Sequence, residues 1–335
     1  MNPKKVFSLL LISVVMCSFI SAQKKLRIVT TIFPEYDWVR QITGTDNKDI
    51  ELTLLTKNGV DMHSYLPSVQ DITKISNADL FIYVGGESDS WIPNAIKNSV
   101  NKNQITINLL KLLGEKVKSE ELKEGMQLEE HAPHHDHDHE DEDHDHDDAE
   151  SEEEEEELDE HVWLSISNTK IICNTICNEL CKIDRENSVK YKNNLKNYLK
   201  QLDDLDTEYK NTLKNSKHKT VIFGDRFPFR YLTDEYHLDY FAAFAGCSAE
   251  TEASFKTVIF LANKLDELKT NSVFQIENST GKLAKTVIQN SNSKNAKIIT
   301  LNSMQSVSAN DIKKGADYLS IMKDNLTKLK EGLNQ

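Results

Sequence analysis

The 335-residue chain carries 40 Lys or Arg against 54 Asp or Glu, a formal charge of −14 at pH 7, and its length suits two domains of ordinary size. Twenty of those acids fall between Glu129 and Glu160, which leaves 40 basic against 34 acidic side chains elsewhere, or +6. The acidity therefore belongs to one segment: it makes no case for a basic partner, and a segment that repels phosphate disfavours nucleic acid.

The N-terminus reads Met1-Asn2-Pro3-Lys4-Lys5, an apolar run from Val6 to Ile20, then Ser21-Ala22-Gln23. A basic start, a short apolar stretch and small residues before a cut describe a signal peptide over residues 1–22, too short for the roughly 20-residue span a membrane helix needs. The mature chain is then exported to the periplasm or cell surface. Cys17, after Val14-Val15-Met16, is a competing site of lipid anchoring.

Residues 24–128 alternate β-rich runs with helical patterns. Strands are expected at Leu26 to Thr31, Ile50 to Thr56, Leu80 to Gly85 and Ile105 to Leu110, and helices at Tyr36 to Thr43, Ser68 to Asn77 and Trp91 to Val100. That alternation predicts an α/β lobe with a parallel sheet flanked by helices.

Residues 129–160 interrupt the lobe. They hold His131, His134, His135, His137, His139, His144 and His146 among aspartates and glutamates, with no Lys or Arg. Such a composition cannot bury a core, so a disordered loop is expected. Imidazole suits zinc, copper and nickel, which makes the histidine part a metal collector. The glutamate run 152–157 taken alone is an ordinary solvated insertion.

Residues 161–185 return to the end of the first lobe, beginning with His161-Val162-Trp163-Leu164. Leu195, Leu199, Leu202, Leu205, Tyr209 and Leu213 then recur at spacings of three and four. They predict a linking helix over 186–215, roughly 45 Å long. Residues 218–335 repeat the first alternation: strands Thr220 to Gly224, Leu238 to Phe244, Ser272 to Glu277 and Ala296 to Asn302, helices Ser254 to Lys269 and Lys282 to Asn290, and a closing helix from Ala309 to Leu333. Two such lobes joined by one helix make a cleft, and ligands of parallel sheets bind beyond the carboxyl ends of the strands. His63, Asp225 and Glu277 all lie at such ends.

Four stretches carry a family likeness: TTIFPEYDWVRQI (30–42), GVDMHSYLPSVQDITKISNADLFIYVGG (59–86), DEHVWLS (159–165) and ADYLSIMKDNLTKLKEGL (316–333). They resemble the metal-binding receptors of ABC importers, the cluster of zinc and manganese binders, over nearly the whole mature chain. An acidic, histidine-rich loop ahead of the second ligand histidine is similar to the zinc-uptake members in particular. The resemblance implies two four-stranded, mostly parallel lobes joined by a rigid helix, with metal in the cleft and an ABC membrane permease as partner. It also implies His63 and His161 as ligands.

At the third ligand the pattern is broken. Zinc members carry a His-Asp-Ala-Phe-like motif, and here Phe223-Gly224-Asp225-Arg226-Phe227 stands instead, with Gly224 at the histidine. Asp225 is the expected substitute. The fourth position, an aspartate in many relatives, corresponds to Asn302 or its neighbours, and Glu277 or a water is expected to complete the shell. Two histidines and a carboxylate make a workable zinc set that would also admit Mn²⁺; the loop histidines favour Zn²⁺.

The remaining candidates are weaker. Cys173, Cys177 and Cys181 share a helix face as core packing or a metal stripe, and Cys247 is a lone thiol or a disulfide partner. His218 reads as solvated, and His237, which follows Tyr236, as a turn residue with a place in the cleft as the lesser alternative. A secreted zinc metalloenzyme could draw on His63, His161 and Glu277, but a His-Glu-x-x-His helix is missing, so no enzyme is expected. A metal-sequestering surface protein is the other alternative, and a monomer is expected in each case.

Overall fold

The computed structural model describes residues 25–45, 47–127, 157–248 and 252–335. The signal peptide, Cys17 and the seven loop histidines from His131 to His146 lie outside those residues. Among the described residues no helix is long and apolar enough to cross a membrane.

The first lobe runs β1 (Leu26–Thr30), α1 (Phe33–Thr43), β2 (Ile50–Leu54), α2 (Val69–Asn77), β3 (Leu80–Tyr83), α3 (Ile92–Lys97), β4 (Ile105–Asn108) and α4 (Leu109–Leu113). Two helices follow, α5 (Ile166–Ile183) and α6 (Ser188–Lys214). The second lobe runs β5 (Thr220–Arg226), α7 (Arg230–Glu235), β6 (Asp239–Phe244), α8 (Phe255–Glu267), β7 (Ser272–Ile276), α9 (Lys282–Asn290), β8 (Lys297–Leu301), α10 (Ala309–Lys313) and α11 (Tyr318–Gly332). The sheets have the orders β2-β1-β3-β4 and β6-β5-β7-β8, with every pairing parallel. The strand order reverses beside β1 and β5, which is where crevices open in such sheets.

Both sheets are covered on both faces, as parallel sheets require. One apolar cluster runs without interruption through both lobes, and separate clusters cover the outer faces. Helix α6 is the spine. Its Tyr191, Leu195, Tyr198, Leu202, Leu205, Tyr209 and Leu213 are buried, and its 27 residues span about 40 Å.

Aromatic side chains lock the halves together. Trp38 of α1 meets Tyr318 of α11 edge-on, with ring centroids 5.5 Å apart. The Tyr318 hydroxyl donates to the Trp163 carbonyl at 2.7 Å, and the Trp163 indole N–H donates to the Ser303 carbonyl at 2.8 Å. Full burial of rings of this size contributes about 1.5–3 kcal/mol each.

Helix α6 lies where the linking helix over 186–215 was expected, set off from α5 by Asp184, which accepts from the Asn187 backbone and the Tyr191 hydroxyl. Two expectations change. The closing helix from Ala309 is two, broken at Gly315 (φ +99°) and restarted by Asp317, whose carboxylate caps Ser320 N–H. Leu109 and Leu110, expected to end a strand, instead begin the short helix α4.

A strap joins the lobes beside the cleft. Ser119 bridges Leu158 in antiparallel fashion, and Glu120 N–H donates to the Glu157 carbonyl at 2.7 Å. The chain between then crosses to the second lobe, where Glu121 accepts from Tyr240, Lys123 pairs with Asp239 and Gln127 N–H donates to the Ala243 carbonyl.

Candidate metal centre

His63 lies in a 3₁₀ turn, Met62–Ser64, that follows β2 and is capped by Asp61, whose carboxylate accepts His63 N–H at 3.1 Å. Its Nδ1 faces Ser88 Oγ at 2.8 Å and Glu160 Oε2 at 3.6 Å. His161 is fully buried, and Asp159 Oδ1 takes both its backbone N–H and its Nδ1 at 2.9 Å. With their Nδ1 atoms held by oxygen groups, both rings turn Nε2 toward a common point. A carboxylate behind a histidine is how metal-binding imidazoles are oriented.

The two Nε2 atoms are 3.2 Å apart. Two nitrogens each about 2.0–2.1 Å from a tetrahedral zinc stand about 3.3 Å apart, so the spacing is that of an occupied edge. Gln305, which is 1 % exposed, places its amide nitrogen 2.7 Å from His63 Nε2 and 2.6 Å from His161 Nε2, one N–H toward each lone pair. Its carbonyl oxygen lies 2.9 Å from Ser303 Oγ. The intervening Met304 has φ +64°, a left-handed conformation that aims Gln305 inward.

Cys247 stands on the third side. Among the described residues, the one group of three or more side chains able to hold a metal is His63, His161 and Cys247, with donor atoms all within 4.8 Å of one another. Cys247 follows Gly246, which backs onto the His161 ring, and its N–H donates to Glu120 Oε1 at 3.0 Å.

Asp225 and Glu277 are not brought to this cluster. Asp225 Oδ1 accepts the Arg226 N–H at 2.9 Å and Oδ2 faces Ile276 N–H at 3.5 Å. Glu277 is tied to Ser303 through its N–H at 2.8 Å and its hydroxyl at 2.9 Å. It therefore braces the turn that carries Gln305. Nor is there room for a ligand at position 224: a Cβ there would lie 2.5 Å from Ala284 Cα in α9. Asn302, at the expected fourth position, caps its own turn by accepting Met304 N–H at 2.8 Å.

Cys173 and Cys177 are buried in the core of α5, as the packing reading expected, and all four described cysteines are free. His237 is exposed in a turn with φ +55°, outside the cluster.

The field around the cluster suits a cation. Asp159 and Glu160 are 2 % and 1 % exposed. The one arginine close by, Arg226, is paired with Asp61 across the cleft. Burial, helped by His161 and Arg226, holds His63 well below its ordinary pKa. Burial also opposes the charged form of His161, but the hydrogen bond and charge of Asp159, with Glu120 and Glu160 behind it, raise it overall. Burial, with Glu120, Glu160 and Asp159 around it, pushes the Cys247 thiol well above its usual range. Two imidazoles and a thiol thus stand among buried carboxylates, a setting that favours a dication.

Two lobes with a convergent donor set between them define the class of periplasmic metal-binding receptors. The chain belongs to the family described as zinc-uptake complex component A, periplasmic, which matches residues 28–332. It is 32% identical over 309 residues to the high-affinity zinc uptake system protein ZnuA of Bacillus subtilis, covering 92% of this chain and 88% of that one. It is 28% identical to the zinc-binding protein AdcA of Streptococcus pyogenes over 92% of this chain, but spans only 56% of that longer relative. The Zn(II)-bound ZnuA-like domain of Streptococcus pneumoniae AdcA superposes with a TM-score of 0.68 at 26% identity, covering 93% of this chain and all of that domain.

Gln305 and Cys247 escaped the sequence reading as ligand candidates. Gln305 belongs to no motif. Cys247 was visible as a lone thiol, and only the packing of β6 against the His161 turn shows what it faces.

Proposed function

We propose that the protein captures Zn²⁺ between its lobes outside the cytoplasm and hands it to an ABC-type membrane permease. The observation that carries this reading is the pair of buried imidazole nitrogens 3.2 Å apart, each ring held from behind by an oxygen group. Family membership and the named zinc-binding relatives support the choice of metal and of partner.

Residues 131–146 would collect ions more weakly and feed the cleft, since fixing a loop costs about 1–2 kcal/mol per residue ordered. Cys17 would anchor the receptor by a lipid if cleavage falls there rather than after Ala22.

The test is competitive titration of Zn²⁺ and Mn²⁺ into mature protein lacking residues 131–157. One tightly held zinc per chain is expected, with weaker ions returning when the segment is restored. Preference for manganese would change the cargo, and the loss of every tight ion would place the metal-binding function in the deleted segment.

A further inference from the structure

Building on that capture reading, we propose that Cys247 is the third ligand, so that the ion sits between two imidazole nitrogens and one thiolate, with the Gln305 carboxamide at the fourth corner. Three observations lead here. The strand position that supplies a histidine in the family's pattern is closed in this chain, because α9 leaves no space for any side chain at Gly224. Asp225 beside it is turned into hydrogen bonds with Arg226 and Ile276. And the sulfur of Cys247, carried on the loop after the neighbouring strand β6, already lies within 4.8 Å of a ring nitrogen of each histidine.

The geometry needs little adjustment. In a tetrahedral site with Zn–N about 2.0–2.1 Å and Zn–S about 2.3 Å, donor atoms stand about 3.3–3.6 Å apart. A rotation of the Cys247 side chain supplies the difference. The surroundings are built for the change of state: Glu120 holds the Cys247 N–H and lies against its thiol. When the sulfur–metal bond forms, the thiol proton passes by that carboxylate to water, and the thiolate stays on the ion. Gln305 must also let go of the imidazole lone pairs. Turning its amide over presents the carbonyl oxygen to the ion and leaves the NH₂ group to donate to Ser303 Oγ, which can donate in turn to Glu277.

A thiolate changes what the receptor accepts. Sulfur ligands favour zinc and other softer ions, while Mn²⁺ prefers oxygen. Cys247 would thus be the specificity-determining residue, rejecting manganese where a carboxylate at Asp225 would have admitted it.

The experiment is Co²⁺ substitution of the full mature chain, read by the thiolate-to-cobalt charge-transfer absorption. Residues 128–156 contain no cysteine, so that segment cannot produce the band. One equivalent of tightly bound Co²⁺ with the band in the native chain, and its loss in Cys247→Ser, is the expected result. Zinc affinity of the variant should fall by more than the roughly 100-fold that loss of an outer partner can cost. A second measurement needs no variant: stoichiometric Zn²⁺ should slow iodoacetamide alkylation of Cys247 at least tenfold, read by peptide mass spectrometry. Tight Co²⁺ binding without the band, a band that persists in Cys247→Ser, or alkylation unaffected by bound zinc would each overturn the thiolate while leaving zinc capture intact. Absence of any tight ion from the native chain would overturn both.

Discussion

Adding a single methyl group at position 224 tests whether packing, rather than metal chemistry, dictates the glycine there. In Gly224→Ala the new Cβ would lie 2.5 Å from Ala284 Cα and 2.9 Å from Ala284 Cβ and N. Carbon atoms rest about 3.5–4.0 Å apart, so α9 must retreat by roughly 1 Å. Ala284, Val287 and Ile288 of α9 belong to the outer core of the second lobe, and the retreat loosens their packing. Overpacking costs about 1–3 kcal/mol, and the obstruction here is backbone, which cannot rotate away, so the upper end is expected. With a urea m-value of about 3 kcal/mol/M, the unfolding midpoint of the zinc-free protein should drop by about 1 M. Far-UV circular dichroism against urea reads this directly. A midpoint within about 0.2 M of the native protein, equivalent to the roughly 0.5 kcal/mol of a harmless surface change, would refute the reasoning. So would a Gly224→His variant that gained zinc affinity at unchanged stability.

Three further outcomes follow from the site and the core. Asp159→Asn removes the charge behind His161 and should weaken zinc about 10–100-fold in chelator competition with secondary structure unchanged; unaltered affinity would mean that Asp159 serves only its turn. Gln305→Ala leaves two buried lone pairs unpaired, so the zinc-free protein should lose about 1–3 kcal/mol in urea unfolding; an unchanged midpoint would mean that the amide pairs with neither imidazole. Burial, with Asp89 nearby, raises Glu35 to about 8 against its donors on Thr31 and Ile32, so the folded chain keeps a proton that the unfolded chain releases near 4.5. Its contribution is full below that pH and is lost as pH climbs toward 8. Stability should therefore fall by about 3 kcal/mol between pH 4.5 and 7 from this group, with Asp89 and Asp37, also raised by burial, adding in the same direction. Urea titrations of Glu35→Gln should show a shallower fall, and an unchanged slope would sink the assignment.

The strands and most helices were legible because their burial is written in composition: Val221, Ile222 and Phe223 are apolar in succession and buried in succession. The interruption inside the closing helical pattern was harder, since Asp317 acts through local hydrogen bonds rather than through hydrophobic spacing. At the site, His63 and His161 lie in recognisable local sequences. Asp225 lies where the register of β5 shifts, between Phe223 and Arg226, and its carboxylate is directed to the Arg226 and Ile276 N–H groups, a local irregularity that the strand pattern does not announce. Cys247 and Gln305 come from the ends of β6 and β8, and their meeting with His161 depends on how the two lobes dock. No sequence window contains that information.

The antiparallel contact of Ser119 and Glu120 with Leu158 and Glu157 brings together the two ends of a long insertion. Closing such a loop costs free energy that grows only with the logarithm of its length. Residues 128–156 can therefore change in number or in histidine content while the contacts of residues 119–127 stay as they are. The collecting role proposed for that segment and the cleft's grip on a single ion would then be separately adjustable.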